Sequence, residues 1–144
     1  RRSSDLRSEM ISVSLAGKAA VELYNCENCA GGCQSDLNSA MNSIRSAITE
    51  SGTLGLGMLS LKNRFYYEIS DKFTEQTELV VHTELERYMF LVKDILNKNR
   101  TFLDNTVKAL MEKEVLTYSD IKQLRDCSQV TLKGETYEQT ELSA

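Results

Sequence analysis

Apolar side chains recur at three- and four-residue intervals through most of the chain, the spacing of helices that each bury one face. The first such pattern starts at Ser4, with Ser3 or Ser4 as the candidate N-cap, and runs to about Tyr24 through Leu6, Met10, Val13, Leu15, Ala16, Ala19, Ala20 and Leu23. Gly17 lies inside it at a cost in helix propensity, and the small cluster Ala16, Gly17, Ala19 and Ala20 predicts close approach by a neighbouring helix. A second stripe comprises Leu37, Ala40, Met41, Ile44, Ala47 and Ile48, after a turn at Gly31 and Gly32. Ser70 or Asp71 opens a longer helix with Phe73, Thr77, Val80 or Val81, Leu85, Tyr88, Met89, Val92, Ile95 and Leu96 near one face. The break Asn97-Lys98-Asn99 ends it. Phe102, Leu103, Val107, Leu110 and Met111 mark a further helix, expected to return antiparallel to the last. Thr117-x-x-Asp120 reads as a capping box that starts a short helix through Leu124. The pattern predicts an all-α fold, a helical bundle over 1–127, followed by a frayed polar tail over 128–144.

Composition narrows this picture without changing it. With 144 residues, 41% of them hydrophobic, the chain has material for one domain with a true core. Lys and Arg number 17 against 21 Asp and Glu, and no basic stripe is present, so nucleic acid is not an expected partner. No apolar run is long enough to cross a bilayer and nothing reads as a signal peptide, so this segment is expected to be soluble and to make no direct membrane contact. The start at Arg1 rather than Met predicts a piece of a longer protein. Proline is absent, so no helix is interrupted by a missing donor.

Few residues carry candidate chemistry. Asp36 falls in the first turn of the second helix, where a carboxylate can satisfy the helix terminus or bind a metal, and on spacing alone the cap is the expected role. Cys26, Cys29 and Cys33 form Cys-x-x-Cys-x-x-x-Cys and are expected as unliganded thiols, the alternatives being a Cys26–Cys29 disulfide or a metal, since thiolates at such spacing can converge on zinc or an iron–sulfur cluster. A fourth ligand is needed, and Cys127, the remaining cysteine, is far away in sequence. Gly52, Gly55 and Gly57 lack the Lys-Ser/Thr that would make a phosphate loop, and Met58 to Tyr67 reads as a mobile loop. His82 is the single histidine, on a helical face and followed by Thr83 and Glu84. Glu22 reads as a structural, hydrogen-bonded or solvent-facing carboxylate. The aromatics and methionines lie at core spacings, and the charges from Lys108 to Glu114 read as a solvated face.

Several stretches in order carry a resemblance. Gly32, Asp36, Leu37 and Ala40 resemble the Gly-x-x-x-Asp-Leu-x-x-Ala segment of FtsH-type ATP-dependent zinc metalloproteases, which are membrane-anchored AAA+ proteases. Leu15 to Leu23, LAGKAAVEL, is similar to the family's Leu-x-Gly-Arg-Ala-Ala-Glu-Glu-Leu, with Lys18 for the usual Arg and Val21 for the first Glu. Ser51 to Leu61 resembles its Tyr-Gly-Met-Ser stretch, and Ile95 to Thr117 its Ile-Leu-x-x-Asn-Arg…Leu-Leu-Glu-Lys-Glu-Thr-Leu pattern. The likeness covers about residues 8–125. The family lacks the three loop cysteines and has about one residue fewer there.

The resemblance implies the C-terminal portion of a helical metallopeptidase domain, truncated so that the His-Glu-x-x-His helix lies outside this chain. Asp36 matches the third zinc ligand, and Glu22 the second acidic residue of the family's Glu-Glu pair. It further implies a parent that uses zinc, binds ATP through a separate domain, forms a homo-hexamer, degrades protein substrates and is membrane-anchored with its peptidase domain on the cytoplasmic or organelle-interior side. The isolated chain is expected to be inactive, because one carboxylate does not hold catalytic zinc. Two other readings stay open: a non-catalytic assembly domain, and a cysteine-rich metal-binding module built on Cys26, Cys29 and Cys33.

Overall fold

A computed structural model describes residues 3–24, 32–51 and 71–131. Every regular element among them is a helix and none is a strand, in accord with the all-α expectation. In chain order these are α1 (Ser3–Leu23), α2 (Gln34–Ser51), α3 (Asp71–Lys98), α4 (Arg100–Lys113) and α5 (Tyr118–Ser128). The chain forms two compact units, Arg1–Lys93 and Asp94–Ala144. The cysteine loop through Gly31, the glycine turn at Gly52 to Gly57, the stretch Met58 to Tyr67 and the tail from residue 132 lie outside the described residues.

The first unit is organised by apolar burial. Its core consists of Ile11, Leu15 and Ala19 from α1, Ala40, Ile44, Ala47 and Ile48 from α2, and Val81, Tyr88 and Val92 from α3, with Thr77 the buried polar residue. Helices α1 and α2 pack directly. The α2 stripe is the predicted one. On α1 the buried face differs: Ile11, absent from the expected set, is closed off, whereas Leu6, Met10 and Val13 are exposed. Both sets have helical spacing, so periodicity alone does not select between them. Ala19 supplies the small surface at the α1 face, but Gly17 points to open space, and a Cβ placed on it meets nothing within 4 Å. The expected role of Gly17 in close helix approach is therefore not what the structure shows.

Polar contacts set how α3 lies beside the other two helices. Ser8 of α1 and the Tyr88 hydroxyl share a 2.9 Å hydrogen bond, which lets a buried tyrosine keep its polar end satisfied. Arg45 of α2 forms a two-pronged ion pair with Glu78 of α3, at 2.9 and 3.0 Å, and its third nitrogen donates to Asn42 at 3.0 Å. The fork matches carboxylate geometry, so this contact fixes orientation as well as proximity.

The second unit is built differently. Helices α4 and α5 are antiparallel: Lys113 meets Asp120 at 2.7 Å near the turn, and Asn105 donates to Ser128 at 3.2 Å near the open end. Neither helix has a buried residue. The predicted capping box is present, with the Asp120 amide donating to Thr117 Oγ1 at 3.3 Å and the Thr117 amide to Asp120 Oδ2 at 2.8 Å. Helix α5 runs to Ser128, one turn beyond the expected end. At the Asn97-Lys98-Asn99 break only Asn99 separates α3 from α4. Helical bonds continue on both sides of it, Asn99 N–H to Ile95 O and Leu103 N–H to Asn99 O, each 3.1 Å. A helical hairpin needs a loop of about two to five residues, and that reversal comes between α4 and α5.

Candidate functional site

Gly32 and Cys33 form a tight helical turn that leads into α2, and Asp36 is the acidic residue of that helix's first turn. Its carboxylate is exposed. The apolar stripe that begins one turn on, Ala40, Ile44, Ala47 and Ile48, is buried, so the start of α2 is anchored while Asp36, in line with that stripe but one turn before it, is exposed. An exposed carboxylate on such a helix is open to a ligand.

Of the other candidates, Cys33 is a half-buried free thiol and Cys127 an exposed one. Cys26 and Cys29 lie outside the described residues. His82 is exposed on α3, as its spacing predicts, with Nδ1 3.7 Å from the carboxylate of Glu86 one turn away. Among the described residues no three His, Cys, Asp or Glu side chains converge to hold a metal ion.

Glu22 has a structural partner set. It pairs with Lys18 at 3.1 Å on its own helix and with Lys93 of α3. The Lys93 ammonium beside it, helped by Lys18, holds its carboxyl below the ordinary value despite partial burial. The Lys93 partner was illegible in the sequence, since no local spacing connects the two positions. A base poised to take a proton at neutral pH would be shifted the other way, so the geometry agrees with a structural role.

A catalytic zinc takes three protein ligands and a water. Asp36 has the chemistry, exposure and helix position of one oxygen ligand, and the chain's single histidine is neither near a second histidine in sequence nor on α2.

The sequence model of Peptidase family M41 matches residues 2–124. The chain is also similar to the ATP-dependent zinc metalloprotease FtsH 2 of Phytoplasma mali (strain AT), with 27% identity over 111 residues. That alignment covers 76% of this chain and 16% of the relative, so the chain spans a small part of the relative's length. No solved structure matches it. Among the described residues no helix is long and apolar enough to cross a membrane.

Proposed function

The chain belongs to peptidase family M41, and from that premise we propose that it is the portion of an FtsH-type metallopeptidase domain that contributes one carboxylate, Asp36, to a catalytic zinc. The observation that carries the reading is the exposed Asp36 in the first turn of a helix whose apolar stripe, beginning at Ala40 one turn on, is locked into the core. Bound zinc would polarise the scissile carbonyl and lower the pKa of its water. Asp36 would complete the coordination as an oxygen ligand, and its neighbours Ala40 and Ile44 would keep the helix from rotating away. A His-Glu-x-x-His helix from elsewhere in the parent would supply two nitrogens and the general base.

The substrate class that follows is protein, cleaved at internal peptide bonds. ATP would act through a separate domain, and the parent would work as a membrane-anchored homo-hexamer. The chain alone is proposed to be inactive, since Asp36 has no partner ligands among the described residues.

The test is hydrolysis of an unfolded protein by the longer chain that carries His-Glu-x-x-His ahead of these residues. Cleavage that needs zinc and stops on chelation is the expected result. A parent without the histidine pair, or cleavage indifferent to chelator, contradicts the proposal.

A further inference from the structure

Asn99 is the one residue between α3 and α4, and its backbone (φ −111°, ψ 33°) is not helical although its own N–H and C=O both make helical bonds. Its side chain is fully engaged. Oδ1 accepts from the Thr131 N–H at 2.8 Å, while Nδ2 donates to Ile95 O at 2.9 Å and to Thr131 O at 3.4 Å. Only this orientation of the amide satisfies all three contacts, because the Thr131 N–H needs an oxygen and the two carbonyls need a nitrogen. The amide thus pairs with both backbone groups of Thr131, as a neighbouring strand would.

The chain reaches this position because α5 ends at Gln129 in the left-handed conformation (φ 49°, ψ 58°), which turns residues 129–131 back toward the start of α4. Two physical facts make this contact a switch rather than one tie among many. Asn side chains compete with the helical backbone for hydrogen bonds, and here the side chain holds its own residue out of helical geometry. Helical bonds already span the junction, so a single residue's backbone change is all that separates two helices from one.

We propose that residues 129–131 form a strap that Asn99 reads: with the strap engaged α3 and α4 are separate helices, and with it released Asn99 turns helical and the two become continuous. Little apolar burial opposes release, because α4 and α5 contain no fully buried residue and Val130 in the strap is only half-buried, and the strap is held chiefly by these polar contacts together with the Asn105–Ser128 bond. The inference stands apart from the peptidase reading and rests on unit two alone.

The test is made by NMR on the full chain. Thr131→Pro removes the N–H that Asn99 accepts from and leaves every residue of α3, α4 and α5 intact. The expected result is a shift of the Asn99 Cα resonance toward helical values, with the amides of α4 still protected. Thr131→Ser keeps the backbone donor and is expected to leave the Asn99 shift where it is. From the other side, Asn99→Ala is expected to speed exchange of the Thr131 amide by roughly tenfold, the scale of losing one or two such bonds. An Asn99 shift unmoved by Thr131→Pro, an equal shift in Thr131→Ser, or a Thr131 amide unprotected in the unaltered chain would each overturn the proposal.

Discussion

The two units of this protein hold themselves together by opposite means. Residues up to Lys93 bury a continuous set of aliphatic side chains, with Ile11, Leu15, Ile44, Ile48 and Val81 almost wholly removed from water. Residues from Asp94 onward bury none in their helices, and the α4–α5 hairpin is joined by named polar contacts: Lys113 to Asp120, the Thr117 capping box, Asn105 to Ser128 and Asn99 to Thr131. Apolar burial scales with area and does not depend on the protonation of a partner, whereas surface ion pairs and caps contribute roughly a kcal/mol or less each. Asp36 lies on the first kind of unit, the more rigid support for the zinc ligand proposed above.

The sharpest way to break the comparison is to empty the core of the first unit. Ile44→Ala removes a fully buried side chain and is expected to cost about 3 kcal/mol, read from urea unfolding. Leu110→Ala in α4, where the side chain is 42% exposed, is expected to stay within about 0.5 kcal/mol. Equal losses at the two sites would erase the distinction. Thr117→Ala removes the cap of α5 and is expected to cost about 1 kcal/mol, confined to α5 amides in hydrogen exchange.

Gly17→Ala works in the other direction. The added methyl meets nothing, so the helix gains propensity and the unit is expected to stabilise by roughly 0.5 to 1 kcal/mol. A loss of stability would mean that Gly17 does lie against a neighbour.

Acidification is the mildest probe. Asp120 is held well below its ordinary value of 3.8, chiefly by the Lys113 ammonium and then by the Thr117 amide and hydroxyl. A carboxyl with a depressed folded-state pKa stabilises the fold fully above its ordinary range, and that contribution is lost as pH falls below it. Amide protection in α5 is therefore expected to decline from about pH 4.5 downward, and Asp120→Asn should flatten that decline. Glu22 follows the same sign from the Lys93 and Lys18 contacts, over a range starting at its ordinary 4.5. Both pairs are partly exposed, so added salt should weaken them.

What could be read in the sequence was what chemistry decides locally. The capping box of Thr117 and Asp120 needs only a four-residue spacing, and the α2 stripe has one apolar face and no competitor. On α1 the expected set included Leu15 and Ala19, which are buried, but also Leu6, Met10 and Val13, which are exposed, and it missed Ile11, because periodicity does not say which of several apolar positions packing will cover. The ties that fasten α3, Arg45 to Glu78 and Glu22 to Lys93, join residues far apart in sequence and leave no pattern to find. Asn99 looks like a helix stop and becomes a one-residue joint because its partner, Thr131, lies 32 residues on. For the candidate site, the placement of Asp36 was legible from Gly31, Gly32 and the stripe that follows. Its co-ligands were not, since the chain holds one histidine and that residue lies on α3.

The most direct test of the central claim is the zinc content of the longer parent carrying Asp36→Ala, compared with the unaltered parent after identical equilibration with zinc. The Asp36 side chain is exposed, so helicity should be unchanged. The account predicts that bound zinc falls well below one per chain, with full occupancy in the unaltered protein. Zinc retained at full occupancy in the Asp36→Ala protein would contradict it.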